Sequence, residues 1–327
     1  MSSVTAGSDS PRLSAGRFAR GGDRVFRGLT LAAGLLVFVL LAAIAVFLIA
    51  KAIPAIRADK ANFWTTKEWS PDSDQRFGIA ALAFGTLLSS VLALAMAVPV
   101  AIGVAIYITN YAPRRIATPL GYATDLLAAV PSVIYGLWGL WFLLPHLIGL
   151  QVFLNHYFGW IPLFAGPESS VSIFSRSVFG AAVILAIMAL PIIAAVSREV
   201  MRQVDPAQQE AALALGATRW EMVRTAVIPP SRPGLISAVM LGLGRALGET
   251  IAVALIIGNT FTISPKILVP GGSTIAANIA NRFGEAGSLG RNALIASGLV
   301  LFAITLLVNL IARLVIYRSG ASERSAV

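Results

Sequence analysis

Six apolar runs, each long enough to cross a bilayer as a helix, constrain this chain more than any other feature. They cover about residues 29–50, 77–108, 119–144, 177–196, 234–258 and 293–316. A hydrocarbon layer of about 30 Å takes about 20 apolar residues of helix. Inside lipid the backbone must satisfy its own hydrogen bonds, so helices are the expected spans. The sequence therefore predicts an all-α integral membrane protein with six transmembrane helices. Only 12% of its residues are charged, against about 25% in a soluble domain. Ala50-Lys51-Ala52 has the small-x-small form of a cleavage site. The run before it exceeds the roughly 7–15 residues of a signal-peptide core, so an uncleaved first span is expected.

The polar segments order the rest. Residues 1–24, rich in Ser, Gly and Arg, read as a disordered basic N-terminus. The first transmembrane helix follows at 25–50, then a loop at 51–76 in which Trp64 and Trp69 suit an interface. A core of 77–316 and a tail of 317–327 complete the chain. Six spans place both termini on one side. With Arg313 counted with the tail, fifteen of the 25 Lys and Arg residues then fall on that side and nine on the other, and Arg245 lies inside a span. This asymmetry obeys the positive-inside rule, so both termini and the loop after span four are expected to be cytoplasmic. The net charge of +10 thus reflects orientation, and no nucleic-acid partner is expected.

The most polar stretch, 199–232, lies between spans four and five and holds two helix-start patterns. Asp205 is placed as N-cap, Pro206 as first helical residue and Gln208 at the third, a capping box. Gly216 is placed to end that helix in a left-handed conformation. Thr218 with Glu221 repeats the box, and Pro229-Pro230 is expected to stop the chain again. The predicted unit is a short helix–turn–helix with Leu213, Leu215, Trp220, Met222 and Val223 as apolar teeth for a partner's groove.

Within span five, residues 242–250 read GLGRALGET. On helical spacing Arg245 and Glu249 share a face. A central charge in a span costs about 2.5–3.5 kcal/mol on insertion scales. Two roles remain open: an ion pair locking the helix to its neighbours, or a cationic site for an anion with Glu249 as the resting partner. Gly244 and Gly248, extended by Gly242, form a small-residue face suited to a subunit seam. Asp125 is expected at the cytoplasmic boundary in a structural role, and Pro99, Pro131 and Pro191 as helix bends.

Several chemistries have no signature here. The chain has no cysteine, no Gly-x4-Gly-Lys-Ser/Thr phosphate loop and no His-Glu-x-x-His. His146 and His156 fall ten residues apart in the loop predicted at 145–176, which suits a loop or interfacial role and not a metal pair. The chain is expected not to be an enzyme and to bind no metal or cofactor.

Glu210-Ala211-Ala212, then Gly216, then Pro229 resembles the EAA loop of ABC-importer permeases, with Ala226 and Ile228 replacing the usual Ile and Leu before the proline. AVPSVIYG at 129–136, LPIIAAVSREV at 190–200, ALGATRWE at 214–221, GRALGET at 244–250 and ANRFGEA at 280–286 resemble the phosphate-importer permeases of the PstC/PstA type. The early loop with Trp69, Pro71 and Phe77-Gly78 is similar to the PstC branch. Together these stretches cover about residues 60–315.

The resemblance implies a type I ABC-importer permease fold in a bacterial plasma membrane. Glu210, Ala211, Ala212, Leu213, Leu215, Gly216, Thr218 and Trp220 would couple it to an ATPase, and Arg245, Glu249 and Thr250 would line the substrate pathway. The implied partners are a PstA-like permease, a PstB-like ATPase dimer carrying ATP and Mg, a PstS-like phosphate-binding protein and membrane lipid. Transport would proceed by alternating access. Sulfate or molybdate are alternative substrates. An ion-coupled secondary transporter would want internal repeats and midplane carboxylates, and only Glu249 lies deep.

Overall fold

A computed structural model describes residues 17–166 and 176–324. Its residues fall into two compact units, divided after Ala50. In the first, the described residues belong to a single helix, α1 (Arg17–Ala58), which continues into the second unit. Residues 17–24 are thus helical and not disordered, while the expectation for 1–16 lies outside the described residues. Among the described residues, helices of spanning length and hydropathy number six: Val25–Ala58, Ala80–Tyr111, Ser132–Phe158, Val178–Arg202, Arg219–Gly248 and Ser288–Leu314.

The second unit is built around α6 (Val178–Arg202), which is apolar on all sides and buried along most of its length. A helix hydrophobic all round belongs in a core. α2 (Ala80–Ile106) packs along it through Ala93, Ala97, Ala101 and Ala105, each at most 1% exposed. Four alanines at i, i+4 spacing let two backbones approach closely, which is how membrane helices gain contact without a hydrophobic driving force. α9 (Ile228–Gly248) and α3 (Arg114–Ala129) cover further sides of α6. Ser177 caps α6 by accepting from Gly180 N.

Span three has a different build from the single helix expected at 119–144. α3 ends at Val130-Pro131, where the backbone is extended, and α4 (Ser132–Trp138) restarts it. A π-helical turn at Gly139–Leu143 then leads into α5 (Leu144–Phe158). Proline disfavours helical geometry in the residue before it, which explains the break. Along this climb Gly121 abuts Arg198, Gly139 abuts Ile184 and Leu144 abuts Gly180. At about 1.5 Å per residue, the stretch of α6 from Arg198 to Gly180 is long enough to cross nearly the whole hydrocarbon layer. The helical stretch of spanning length and hydropathy, Ser132–Phe158, thus begins later than the predicted 119–144 and runs on through α5. The loop expected from 145 is helical as far as Phe158, and 167–175 lie outside the described residues.

The segment after α1 is folded. β1 (Trp69–Ser70) pairs antiparallel with β2 (Arg76–Phe77). Trp69 is buried among Phe63, Phe77 and Phe261 instead of standing at an interface, whereas Trp64 is exposed. Asp72 on this hairpin accepts from Gly287 N at 2.9 Å and Gly290 N at 2.8 Å. It thereby satisfies free donors in the first turn of α12 (Ser288–Arg324). α12 continues through residues 317–324, where a polar tail was expected. α11 (Ile275–Arg282) is tied to α2 by Thr86 Oγ1, which accepts from Ile275 N at 3.0 Å.

Candidate functional site

The polar stretch forms two helices, α7 (Pro206–Ala214) and α8 (Arg219–Met222). Asp205 Oδ1 accepts from Ala207 N at 2.9 Å, with Pro206 in the first helical position. Asp205 bonds the second helical N–H and not that of Gln208, and no bond from the Gln208 side chain returns to Asp205 among the described residues, so Asp205 is an N-cap but the expected first box does not form. The second is complete: Glu221 N donates to Thr218 Oγ1 at 3.3 Å and Thr218 N to Glu221 Oε2 at 2.8 Å. Between them Gly216 has φ +88°, with Gly216 N donating to Leu213 O and Ala217 N to Ala212 O. That pair of bonds is a Schellman motif, as the placement of the glycine predicted.

The expected teeth divide into two groups. Leu215 is 90% exposed, Trp220 55% and Leu213 44%, and Glu210 and Ala211 are also exposed. Met222 and Val223 are instead buried with Ala105, Met201, Val204, Val227 and Leu235, and Ala212 packs against that cluster. They anchor the turn to the ends of α2 and α6 and leave three residues facing outward. Pro229-Pro230 does not stop the chain. A π-helical turn at Val223–Val227 precedes α9, and Ile228 N donates to Val223 O. The two prolines, lacking N–H groups, therefore stand in the first turn of a restarted helix, where intrahelical donors are not required.

α9 rises beside α6 with Gly234 against Val200 and Gly242 against Ile193. Arg245, three residues on from Gly242, thus lies at about the mid-depth of α6, although it is close to the end of its own helix. It lines an open groove of about 960 Å³ with Ser237, Gly244, Asn309 and Arg313 among its walls. Its Nε is buried without a hydrogen-bond partner. Gly244 and Gly248 have open space before them, as a small-residue face should, whereas Gly242 is packed against Ile193 and belongs to a different side.

Glu249 is not the partner of Arg245. The helix ends at Gly248, Glu249 is extended with ψ 126°, and α10 (Ile251–Ile256) begins after Thr250. Helical i, i+4 spacing fails because the helix stops first. Glu249 is buried, and its Oε1 accepts from Ala252 N at 3.2 Å at the start of α10. A carboxylate is favoured there by the unpaired amides of a helix N-terminus. Thr250 Oγ1 donates to Gly248 O at 3.0 Å. Broken helix inside a membrane is tolerated where protein buries it or a polar cavity adjoins it.

Asp125 has a partner that sequence spacing did not reveal. Arg198 Nη2 donates to both carboxylate oxygens of Asp125 at 3.0 Å, and Nη1 to Thr124 Oγ1 at 3.1 Å. The guanidinium fits because residue 121 is glycine: a Cβ there would stand 2.6 Å from Nη1. Arg198 is nearly buried, while the Asp125 side chain is half exposed. Removing one member of a buried pair typically costs about 3–5 kcal/mol, and exposure of the other reduces this. Asp125→Asn is therefore expected to destabilise the protein by about 1–2 kcal/mol. The check is a lowered unfolding temperature in detergent, largely restored when Arg198 is also made Met.

Residues 97–319 match the family model described as "Binding-protein-dependent transport system inner membrane component". The chain is 45% identical over 301 residues to "Phosphate transport system permease protein PstC 2" of Mycobacterium bovis, covering 91% of this chain and 92% of that protein. It is 42% identical over 305 residues to "Phosphate transport system permease protein PstC" of Mesorhizobium japonicum, covering 91% of each. Among solved structures it is similar to a bacterial ABC transporter involved in import of the acidic polysaccharide alginate. That match has a TM-score of 0.54 at 20% identity and covers 91% of this chain and 99% of the other, a likeness of fold. With six helices of spanning length among the described residues, an exposed capped turn and these relatives, the chain belongs to the family of binding-protein-dependent transport system inner membrane components, as a multi-pass permease of the PstC kind.

Proposed function

We propose that this chain is a pore-forming subunit of an ATP-driven inorganic phosphate importer. The observation that carries the reading is Arg245, level with the middle of α6 in an open groove with no carboxylate among its described walls. A guanidinium without a carboxylate partner in low dielectric favours an anion beside it. The names of the PstC relatives favour phosphate over sulfate or molybdate. Glu249 and Thr250 line the adjoining helix break and shape the pathway without neutralising the cation.

The exposed residues Glu210, Ala211, Leu213, Leu215 and Trp220 offer a surface for a cytoplasmic ATPase, with Gly216 and Thr218 setting its shape. ATP and Mg would be held by that PstB-like ATPase dimer and not by this chain. A PstA-like permease would complete the pore, and a PstS-like binding protein would deliver phosphate from outside. Both termini would lie in the cytoplasm. In alternating access, closure of the ATPase dimer would shift α7 and α8, and the buried anchors Met222 and Val223 would pass that shift to α2 and α6. Such a partner drives the switch only through unequal contact energies in its two states.

The test is labelled-phosphate uptake into vesicles holding all four components, with and without ATP and with excess sulfate as competitor. Uptake that requires ATP and ignores sulfate is expected. Uptake without ATP would sink the ABC assignment, and sulfate competition would redirect the substrate.

A further inference from the structure

The groove that holds Arg245 contains a second cation. Arg313, on α12, lines the same cavity of about 960 Å³, with Asn309 one turn before it. Arg313 is exposed, and among the described residues it forms no ion pair. Among the described residues no Asp or Glu lines this groove. The spans holding α9 and α12 are consecutive and therefore antiparallel. Arg245 lies near the end of α9 that leads away from the capped turn, and Arg313 in the later part of α12. Arg313 accordingly sits closer to the side of the membrane that carries α7 and α8.

Two guanidinium groups facing one membrane cavity without a counter-charge repel each other and are costly to hold. An oxyanion carrying two negative charges removes both penalties, and planar guanidinium forks match its oxygens. We infer that Arg313 is a second oxyanion-binding residue of this groove, taking phosphate from Arg245 on its way to the side where α7 and α8 lie. This rests on the transport reading above. The shared chemistry is a phosphate oxyanion, and it has two sources, free phosphate or a lipid headgroup at the span's end.

The chain has no cysteine, so Asn309→Cys provides a unique thiol within the groove, and Ser237→Cys a second reporter should the first fail to assemble. The full complex, with accessible cysteines of its other subunits replaced, is placed in phosphatidylcholine nanodiscs. Reaction rates are compared for a negatively charged sulfonate and a positively charged trimethylammonium thiosulfonate reagent. The anionic reagent is expected to react faster. Arg313→Gln should lower the anionic-to-cationic rate ratio by about fivefold or more, as loss of one nearby charge requires. Arg313→Lys should keep the ratio within about twofold. Millimolar inorganic phosphate should slow the anionic reagent with Arg313 present and not with Arg313→Gln. Phosphate uptake by Arg313→Gln complexes should fall with assembly unchanged.

An unaltered ratio without phosphate protection would overturn the inference. A ratio that changes only when phosphatidylglycerol is added would overturn it also, making Arg313 a lipid anchor. If the unmodified complex imports no phosphate, the transport reading fails. The rate ratio would then still report whether Arg313 serves an anion.

Discussion

Arg245→Gln is expected to lower ATP-dependent phosphate uptake about ten- to a hundredfold while the chain still inserts and assembles. The magnitude follows from losing a charge-assisted hydrogen bond, worth about 1.5–3 kcal/mol. Gln preserves length and some hydrogen bonding, so the loss reports charge. Assembly should survive because Arg245 holds no carboxylate in place: Glu249 is engaged at Ala252 N instead. The protein is thus relieved of an uncompensated membrane charge and should be no less stable. Arg245→Lys should recover part of the activity, since it keeps the charge but loses the two-pronged fork. Uptake and unfolding temperature measured on the same preparations separate the two effects. Unchanged uptake would reduce Arg245 to a structural residue.

Replacement of Gly216 by Val should leave ATP hydrolysis running while uptake drops roughly tenfold, an uncoupling caused by backbone strain. At φ +88° a residue with a Cβ is disfavoured by about 1–2 kcal/mol, and a β-branched one more. Crowding plays no part, because a Cβ at this position would meet nothing within 4 Å. The strain would loosen the Schellman turn and re-aim Leu213, Leu215 and Trp220, which are themselves exposed. Gly216→Asn should be milder, since Asn tolerates the left-handed region. Normal uptake with normal hydrolysis in Gly216→Val complexes would remove the coupling role from this turn.

The capped turn at 205–222 was legible because its determinants are local. An N-cap, a first-turn proline and a C-terminal glycine act within a few residues, and the structure places Asp205, Pro206 and Gly216 in those roles. Its outer face was only half legible. Leu213, Leu215, Trp220, Met222 and Val223 have the same apolar character, and nothing local says which of them the ends of α2 and α6 will cover. The membrane site was legible as to Arg245 and illegible as to its surroundings. The Asp125–Arg198 pair joins residues 73 apart in sequence, and Arg313 meets the groove of Arg245 only through packing of α12 on α9.

By itself the sequence determined the six spans, the caps and the left-handed glycine, because lipid requires internally bonded helices and caps depend on neighbouring residues. It also placed one arginine deep in the bilayer. The tertiary structure decided what that arginine faces. α9 stops at Gly248, so Glu249 turns away to α10, and the Pro229-Pro230 pair is absorbed by a restart after a π-helical turn. Helical spacing states where a side chain would point if the helix continued. Whether it continues depends on which backbone groups neighbouring helices and side chains can satisfy, and that is settled only when α4, α6, α10 and α12 are packed together.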